Sequence, residues 1–306
     1  MLLWRQMTES AGSRAIQFAF FGVEVSMSAE DVPLPITSST EPEWASNAVA
    51  CYRDVLQALD AAGVPCAVGG AFALHEHTGI WRTTKDLDFL IEAGEVPRAL
   101  ASLRQAGFET WIKDPVWLAK ASRGEYFVDL ISGVGNATLP VERSWIERAV
   151  PAEILGMPCK ILAVEEMIAS KVFVTRRERF DGSDVVHLIH ARGRGLDWAR
   201  VLHLLEQHWQ MLYWSLVLFA YVYPSGTDMV PERLWVELSQ RLAREAVHPR
   251  PDAVFRGSLI DPLMFAIDVE EWGERNLYRE YCEEHPCLLT PEEAPEDRKG
   301  DGKEAA

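Results

Sequence analysis

The sequence predicts an α/β protein, a mixed β-sheet followed by an α-helical region. Three observations predict it. Short β-branched and aromatic runs, "VPCAV", "DLDFLI" and "EYFVDLI", are bounded by Gly, Pro and charged turns, as strands are. Segments with apolar residues at helical spacing lie between those runs. Beyond Asp184 the periodic segments are all helical.

Along the chain, residues 1–43 are expected to be a disordered or non-core extension. "MSAEDVPLPITSSTEPEW" is rich in Pro, Ser, Thr and acid and shows no sustained period. Met27 is a candidate start, which would make 1–26 a translation of upstream sequence. Residues 44–163 read as the α/β core. "EWASNAVACYRDVLQALDAAG" spaces Val49, Tyr52, Val55, Leu56 and Leu59 at helical intervals and stops at Gly63. "VPCAVGG" is a short buried strand running into a glycine turn, and "AFALHEH" is a short helix ended by Thr78-Gly79. "DLDFLI" is a strand, and "EVPRALASLRQAG" is a helix that ends at Gly107. "FETWI", "VWLAKA" and "EYFVDLI" follow as strands. A loop then leads to "CKILAVEEMIASKVFVTRRERF", which passes from strand to helix. Residues 164–280 are the helical region, through "DVVHLIHARG", "WARVLHLLEQHW", "MLYWSLVLFAYVY" and "PERLWVELSQRLARE". Residues 281–306 are expected to be an acidic, disordered tail. No internal repeat is visible.

Composition sets the outer limits. With 306 residues, 48% hydrophobic and 25% charged, the chain has enough apolar content for a real core. No apolar run reaches the roughly 18 residues that span a bilayer. "AIQFAFFGVEVSM" is too short for that and lacks the charged start and cleavage site of a signal peptide, so a cytoplasmic protein is expected. The five cysteines are scattered and odd in number, which implies no disulfide framework. "CEEHPC" would be half of a zinc site, but no second ligand pair has suitable spacing, and surface thiols are the better reading. A net charge of −16 argues against a broad nucleic-acid-binding surface. The acid is unevenly spread, however: the tail is strongly acidic and residues 171–200 are locally basic.

One constellation carries chemistry. Asp86 and Asp88 alternate with Leu87 and Phe89, so both acids face the same side of one strand, about 7 Å apart along it. Like charges beside a core are costly unless a cation sits between them, and hard divalent ions take carboxylate oxygens. Asp129, in "EYFVDLI", repeats the layout on a later strand. Three acids on two strands suit a two-metal site, with ions about 3.5–4 Å apart. A single aspartate at a strand end is more often a turn or cap residue; the combination is what points to metal. Gly69 and Gly70 close the preceding strand, where backbone can approach phosphate and the next helix N-terminus favours anions. Neither a Walker loop nor a dinucleotide fingerprint is present. Arg82 and Lys85 stand just before the acids, where they either meet phosphates or belong to a solvated turn.

"VGGAFALHEHTGIWRTTKDLDFLI" resembles the signature of the DNA polymerase β-like nucleotidyltransferase superfamily: a Gly-Gly turn, Asp-x-Asp, then a third carboxylate. Within it, "RTTKDLDFLI" with "VEEMIASKVFVTRRERFDGSDVVHLI" is most similar to the AbiEii-type branch of abortive-infection toxins. The resemblance covers about 50–190. It implies a polymerase β-like nucleotidyltransferase core and transfer of an NMP from an NTP to an acceptor hydroxyl with two Mg²⁺ ions. Asp86, Asp88 and Asp129 would be the catalytic and metal-binding acids. Gly69, Gly70 and Ala71 would form the phosphate turn, with Arg82, Lys85, Lys171 and Arg179 toward the triphosphate. Ala71 departs from the Ser or Thr of many members, which removes one phosphate contact, and the spacing from the glycines to Asp86 is long. Asp181 and Asp184 fit an Asp-capped helix start, or support of the site, better than direct catalysis. The partners implied are an NTP, an acceptor that is RNA, a small molecule or a protein, and a cognate antitoxin, with no membrane. The contrasting reading is a catalytically silent nucleotide-binding or protein-interaction module with the same fold.

Overall fold

The structure, a computed structural model, describes residues 44–284 apart from 83, 85, 136, 177 and 178. It also describes residues 40 and 42 and the backbone of 16–20, 23–27 and 37–38. The expected tail from 285 onward, with His285 and Cys287, lies outside the described residues, as does Lys85.

Two strands, β1 (Ile16–Phe20) and β2 (Val23–Met27), pair only with each other, and a third, β3 (Thr37–Ser38), precedes helix α1 (Ser46–Ala61). The first strand of the main sheet, β4 (Cys66–Val68), runs directly into α2 (Gly70–Thr78). Next come β5 (Trp81–Arg82), which pairs with β3, and β6 (Asp86–Ile91). Helix α3 (Val96–Gln105) starts with a proline in its first turn and ends before Gly107, at φ +86°. A meander follows: β7 (Glu109–Asp114), β8 (Leu118–Arg123) and β9 (Tyr126–Ile131).

The stretch expected to be a plain loop contains more structure. It holds the short pair β10 (Gly133–Val134) and β11 (Leu139–Pro140), helix α4 (Arg143–Arg148), and β12 (Val150–Ile154), which pairs with β13 (Met157–Ile161). The main sheet therefore has seven strands in the order β12-β13-β4-β6-β9-β8-β7. Two neighbouring pairs are parallel, β13 with β4 and β6 with β9; the others are antiparallel.

After the sheet come α5 (Val164–Lys171), α6 (Gly182–Arg192), α7 (Trp198–Leu204), α8 (Trp209–Val222) and α9 (Glu232–Val247). Three further helices complete the described chain: α10 (Gly257–Ile260), α11 (Ala266–Glu270) and α12 (Leu277–Glu284). Residues 281–284, expected to begin the tail, are thus helical. The hydroxyl of Tyr278 donates to Asp114 Oδ2 at 2.6 Å and ties α12 back to β7.

The apolar core is continuous from α1 and the sheet into α5, α6, α8 and α9, which keeps the helices packed on the sheet. A buried ionic network reinforces that junction. Glu166 is fully buried and receives Arg200 Nε at 2.9 Å and Arg148 Nε at 3.3 Å, joining α5 to α7 and α4. Among the described residues, no helix is long and apolar enough to cross a membrane.

Candidate active site

On β6 the side chains alternate as strand geometry requires. Leu87, Phe89 and Ile91 are buried on one face, leaving Asp86 and Asp88 on the other. In the ladder Asp88 stands directly opposite Asp129 of β9, and Asp129 stands opposite Lys120 of β8. On the far side of β6, the Gly69 N–H donates to the Asp88 carbonyl at 2.9 Å. Gly69, Asp88, Asp129 and Lys120 therefore form one row across the turn after β4 and the three strands β6, β9 and β8. Carboxylate oxygens of Asp86, Asp88 and Asp129 all lie within 4.8 Å of one another.

Each member of the cluster is positioned by an identifiable contact. Asp86 Oδ1 accepts from Thr84 Oγ1 at 2.7 Å. Gly70, the first residue of α2, has φ +55°, and a Cβ there would fall 1.7 Å from Asp88 Oδ2. Only glycine lets the carboxylate close against the turn. Lys120 Nζ hydrogen-bonds Asp129 Oδ2 at 3.1 Å and lies 2.9 Å from Oδ1. The ammonium thus pairs with both oxygens, and among the described residues Oδ1 receives no further hydrogen bond. Burial, reinforced by the charges of Asp86 and Asp129, pushes the Asp88 carboxyl up to about 7. Burial also raises Asp129, against the pull of Lys120.

These features fit a divalent cation. Three hard oxygen donors converge, and the single Lys120 ammonium offsets only one of their three like charges, which leaves room for a counter-cation. The N-terminus of α2 faces the same row through Gly69 and Gly70. Its first-turn N–H groups have no intrahelical acceptor and favour anions. Ala71 is buried in that turn, where its methyl group offers no phosphate contact.

A second cluster stands beside the first. Lys171, at the end of α5, is 4% exposed, and its Nζ lies 3.0 Å from Asp181 Oδ2 and 2.7 Å from Asp184 Oδ2. Arg82 of β5 reaches the same pair, at 3.2 Å to Asp181 and 2.7 Å to Asp184. Arg179 grips Asp181 with two parallel N–H donors, each 3.0 Å from an oxygen. Burial alone would raise Asp181; Lys171, Arg179 and Arg82 together hold it well below the usual carboxylate range.

This geometry replaces the capping reading of Asp181 and leaves support of the site as the reading of both acids. Asp181 occupies the position before α6, but its side chain makes no cap hydrogen bond. Both carboxylates bind cations instead, because three positive groups converge there. Lys171, expected to meet the triphosphate, is enclosed by Asp181 and Asp184. Among the described residues, the exposed cation of the cluster is Arg179, whose side chain is 59% exposed and whose charge acts on both Asp88 and Asp129. Lys120 was not anticipated at all. The available signal was the Gly124 turn of the β8–β9 hairpin: counting back from Arg123 opposite Tyr126 puts Lys120 opposite Asp129.

Two histidines of α2 have local partners. His77 is buried, its Nε2 2.8 Å from the Leu162 carbonyl, and His75 stacks on Trp81 at 4.0 Å.

Comparison with known proteins supplies the class. The family described as "Nucleotidyl transferase of unknown function (DUF2204)" matches residues 48–256, more than half of the chain. The chain belongs to this family. It is a nucleotidyltransferase, which agrees with the polymerase β-like resemblance of its motifs. No curated protein matches it. Among solved structures, this nucleotidyltransferase is similar to ANT(2")-Ia in complex with adenylyl-2"-tobramycin (14% identity, TM-score 0.41, covering 53% of this chain and 99% of that chain). It is similar to JHP933 from Helicobacter pylori (14% identity, TM-score 0.36, 67% of this chain and 97% of that one). It is also similar to the lincomycin-bound lincosamide antibiotic adenylyltransferase LnuA (13% identity, TM-score 0.34, 45% of this chain and 94% of that one).

Proposed function

We propose that this nucleotidyltransferase moves an NMP from an NTP to an acceptor hydroxyl with the help of two Mg²⁺ ions held by Asp86, Asp88 and Asp129. The observation that carries the reading is the convergence of those three carboxylates, with only the Lys120 ammonium beside the buried Asp129 Oδ1 among the described residues. Bound there, the ions would supply neutralisation of the phosphates and activation of the acceptor oxygen.

The chain's own residues do the rest. Gly69, Gly70 and the first-turn amides of α2 seat the β- and γ-phosphates. Arg179 presents its exposed guanidinium to the triphosphate, while Asp181, itself clamped by Lys171 and Arg82, fixes where Arg179 stands. The acceptor oxygen attacks the α-phosphorus in line, the bond to the bridging oxygen breaks and pyrophosphate leaves. Asp129 is also the carboxylate we assign to help deprotonate the acceptor hydroxyl.

For the acceptor, the Lys171–Asp181–Asp184 arrangement supports the AbiEii-type likeness. That makes RNA, and the acceptor end of tRNA in particular, the first substrate to test, with a cognate antitoxin as partner. The net charge of −16 favours a small-molecule or protein hydroxyl as the competing acceptor. The test follows label from the α-phosphate of each NTP, with Mg²⁺, into separated RNA, protein and small-molecule fractions, against Asp88→Asn. Label entering one fraction with wild type alone establishes the chemistry and the acceptor class. Undiminished transfer by Asp88→Asn overturns it. Metal-dependent NTP binding without label or pyrophosphate release favours the silent binding module, which the missing turn hydroxyl at Ala71 also fits.

A further inference from the structure

Lys120 stands at the end of the row that begins at Gly69. Its ammonium contacts both oxygens of Asp129, at 2.9 and 3.1 Å, and its side chain is 19% exposed. A lysine on the open face of a sheet ordinarily extends its ammonium into water. This one is turned inward onto the carboxylate whose neighbours are Asp86 and Asp88. The cross-strand register, Lys120 opposite Asp129 opposite Asp88, fixes it there.

We propose that Lys120 is a resident cation of the carboxylate cluster, which a divalent ion must displace or crowd to reach Asp129, so that Lys120 sets the site's metal affinity and ties its filling to the arrival of nucleotide. The inference rests on the metal reading given above and deepens it. Fully ionised, as a bound metal requires, the three carboxylates carry a charge of −3, and Lys120 cancels one of those charges before any ion arrives. A divalent ion shared with Asp129 is repelled by the ammonium over a few ångströms. The repulsion weakens binding by at least about tenfold even at the dielectric of water. The polyanionic triphosphate offsets that repulsion, so the ion shared with Asp129 binds tightly only when the NTP is present. Lys120 is a positioning residue here, since it acts through Asp129 and not on the reacting atoms.

The experiment titrates Mn²⁺ into the full chain without nucleotide, with free Mn²⁺ followed by its electron paramagnetic resonance signal. Wild type, Lys120→Met, Lys120→Gln, Lys120→Arg and Asp88→Asn are compared, with thermal melts confirming that each is folded. The expected result is Mn²⁺ binding at least about tenfold tighter in Lys120→Met and Lys120→Gln, with Lys120→Arg close to wild type. A merely structural lysine would give the opposite sign, because its loss would loosen Asp129 and weaken binding. Binding that depends on Asp88 but is unchanged or weaker in both neutral variants overturns the role of Lys120 and leaves the metal reading standing. Absence of Asp88-dependent binding in wild type and in both neutral variants overturns the metal reading, and this inference with it.

Discussion

At the residue scale the decisive group is Asp88, whose carboxyl is pushed up to about 7 by burial, Asp86 and Asp129. The folded chain therefore holds this proton more tightly than the unfolded chain, where an aspartate titrates near about 3.9. Stability from this group is complete at low pH and falls as pH rises from about 4 through about 7. In metal-free buffer, Asp88→Asn is expected to melt a few degrees above wild type at pH 8, with the gap closing by pH 5, while transfer is abolished. Equal melting temperatures at pH 8 would show that the carboxylates do not repel one another in the fold. Gly70 makes a sharper case. An alanine there must adopt φ +55° and place its methyl group against Asp88 Oδ2. Left-handed backbone alone costs about 1–2 kcal/mol, so Gly70→Ala is expected to lower the melting temperature and eliminate transfer together. An active Gly70→Ala enzyme would mean that the turn and the acid are not in contact.

At the element scale the clamp between α5, β5 and the start of α6 separates holding from contacting. Lys171→Met leaves Asp181 and Asp184 buried with a reduced cation set, and a loss of about 3–5 kcal/mol is expected in denaturant unfolding. Arg179→Ala removes an exposed guanidinium and is expected to destabilise by about 1 kcal/mol or less while still costing transfer. A reversal of those two stability effects would refute the division of labour. Elements also explain what the sequence made visible. The strands β4, β6 and β9 were legible because Val68, Leu87, Phe89, Val128 and Leu130 are fully buried, and that buried alternation is what periodicity detects. Strand β12 was not legible. It lies at the sheet edge, carries Pro151 and Glu153, and buries only Ile154, so little hydrophobic pattern marks it. The acid triad was legible because its spacing is local to two strands. The pairing of Lys171 with Asp181 and Asp184, and of Lys120 with Asp129, depends on tertiary contact or strand register, which residue type alone does not encode.

At the scale of the molecule, charge constrains the acceptor. A chain of net charge −16 has few surfaces that can neutralise many phosphates. If tRNA is the acceptor, its affinity is expected to depend weakly on salt, with a log–log slope of magnitude below about 4, corresponding to a handful of phosphates. A steep slope would require a basic surface well beyond the Arg179 cluster. The sheet order has a consequence for how such an enzyme can be altered. The acids sit on β6 and β9, the parallel pair at the middle of seven strands, each hydrogen-bonded on both sides. No change of register or strand length there is local, since either would propagate to the neighbours. Redesign of what the enzyme modifies therefore has to come from its periphery, the helices and connecting segments that pack on the sheet without pairing to it. A library that varies those and leaves the two strands untouched would explore new acceptors while the phosphorus chemistry stays constant.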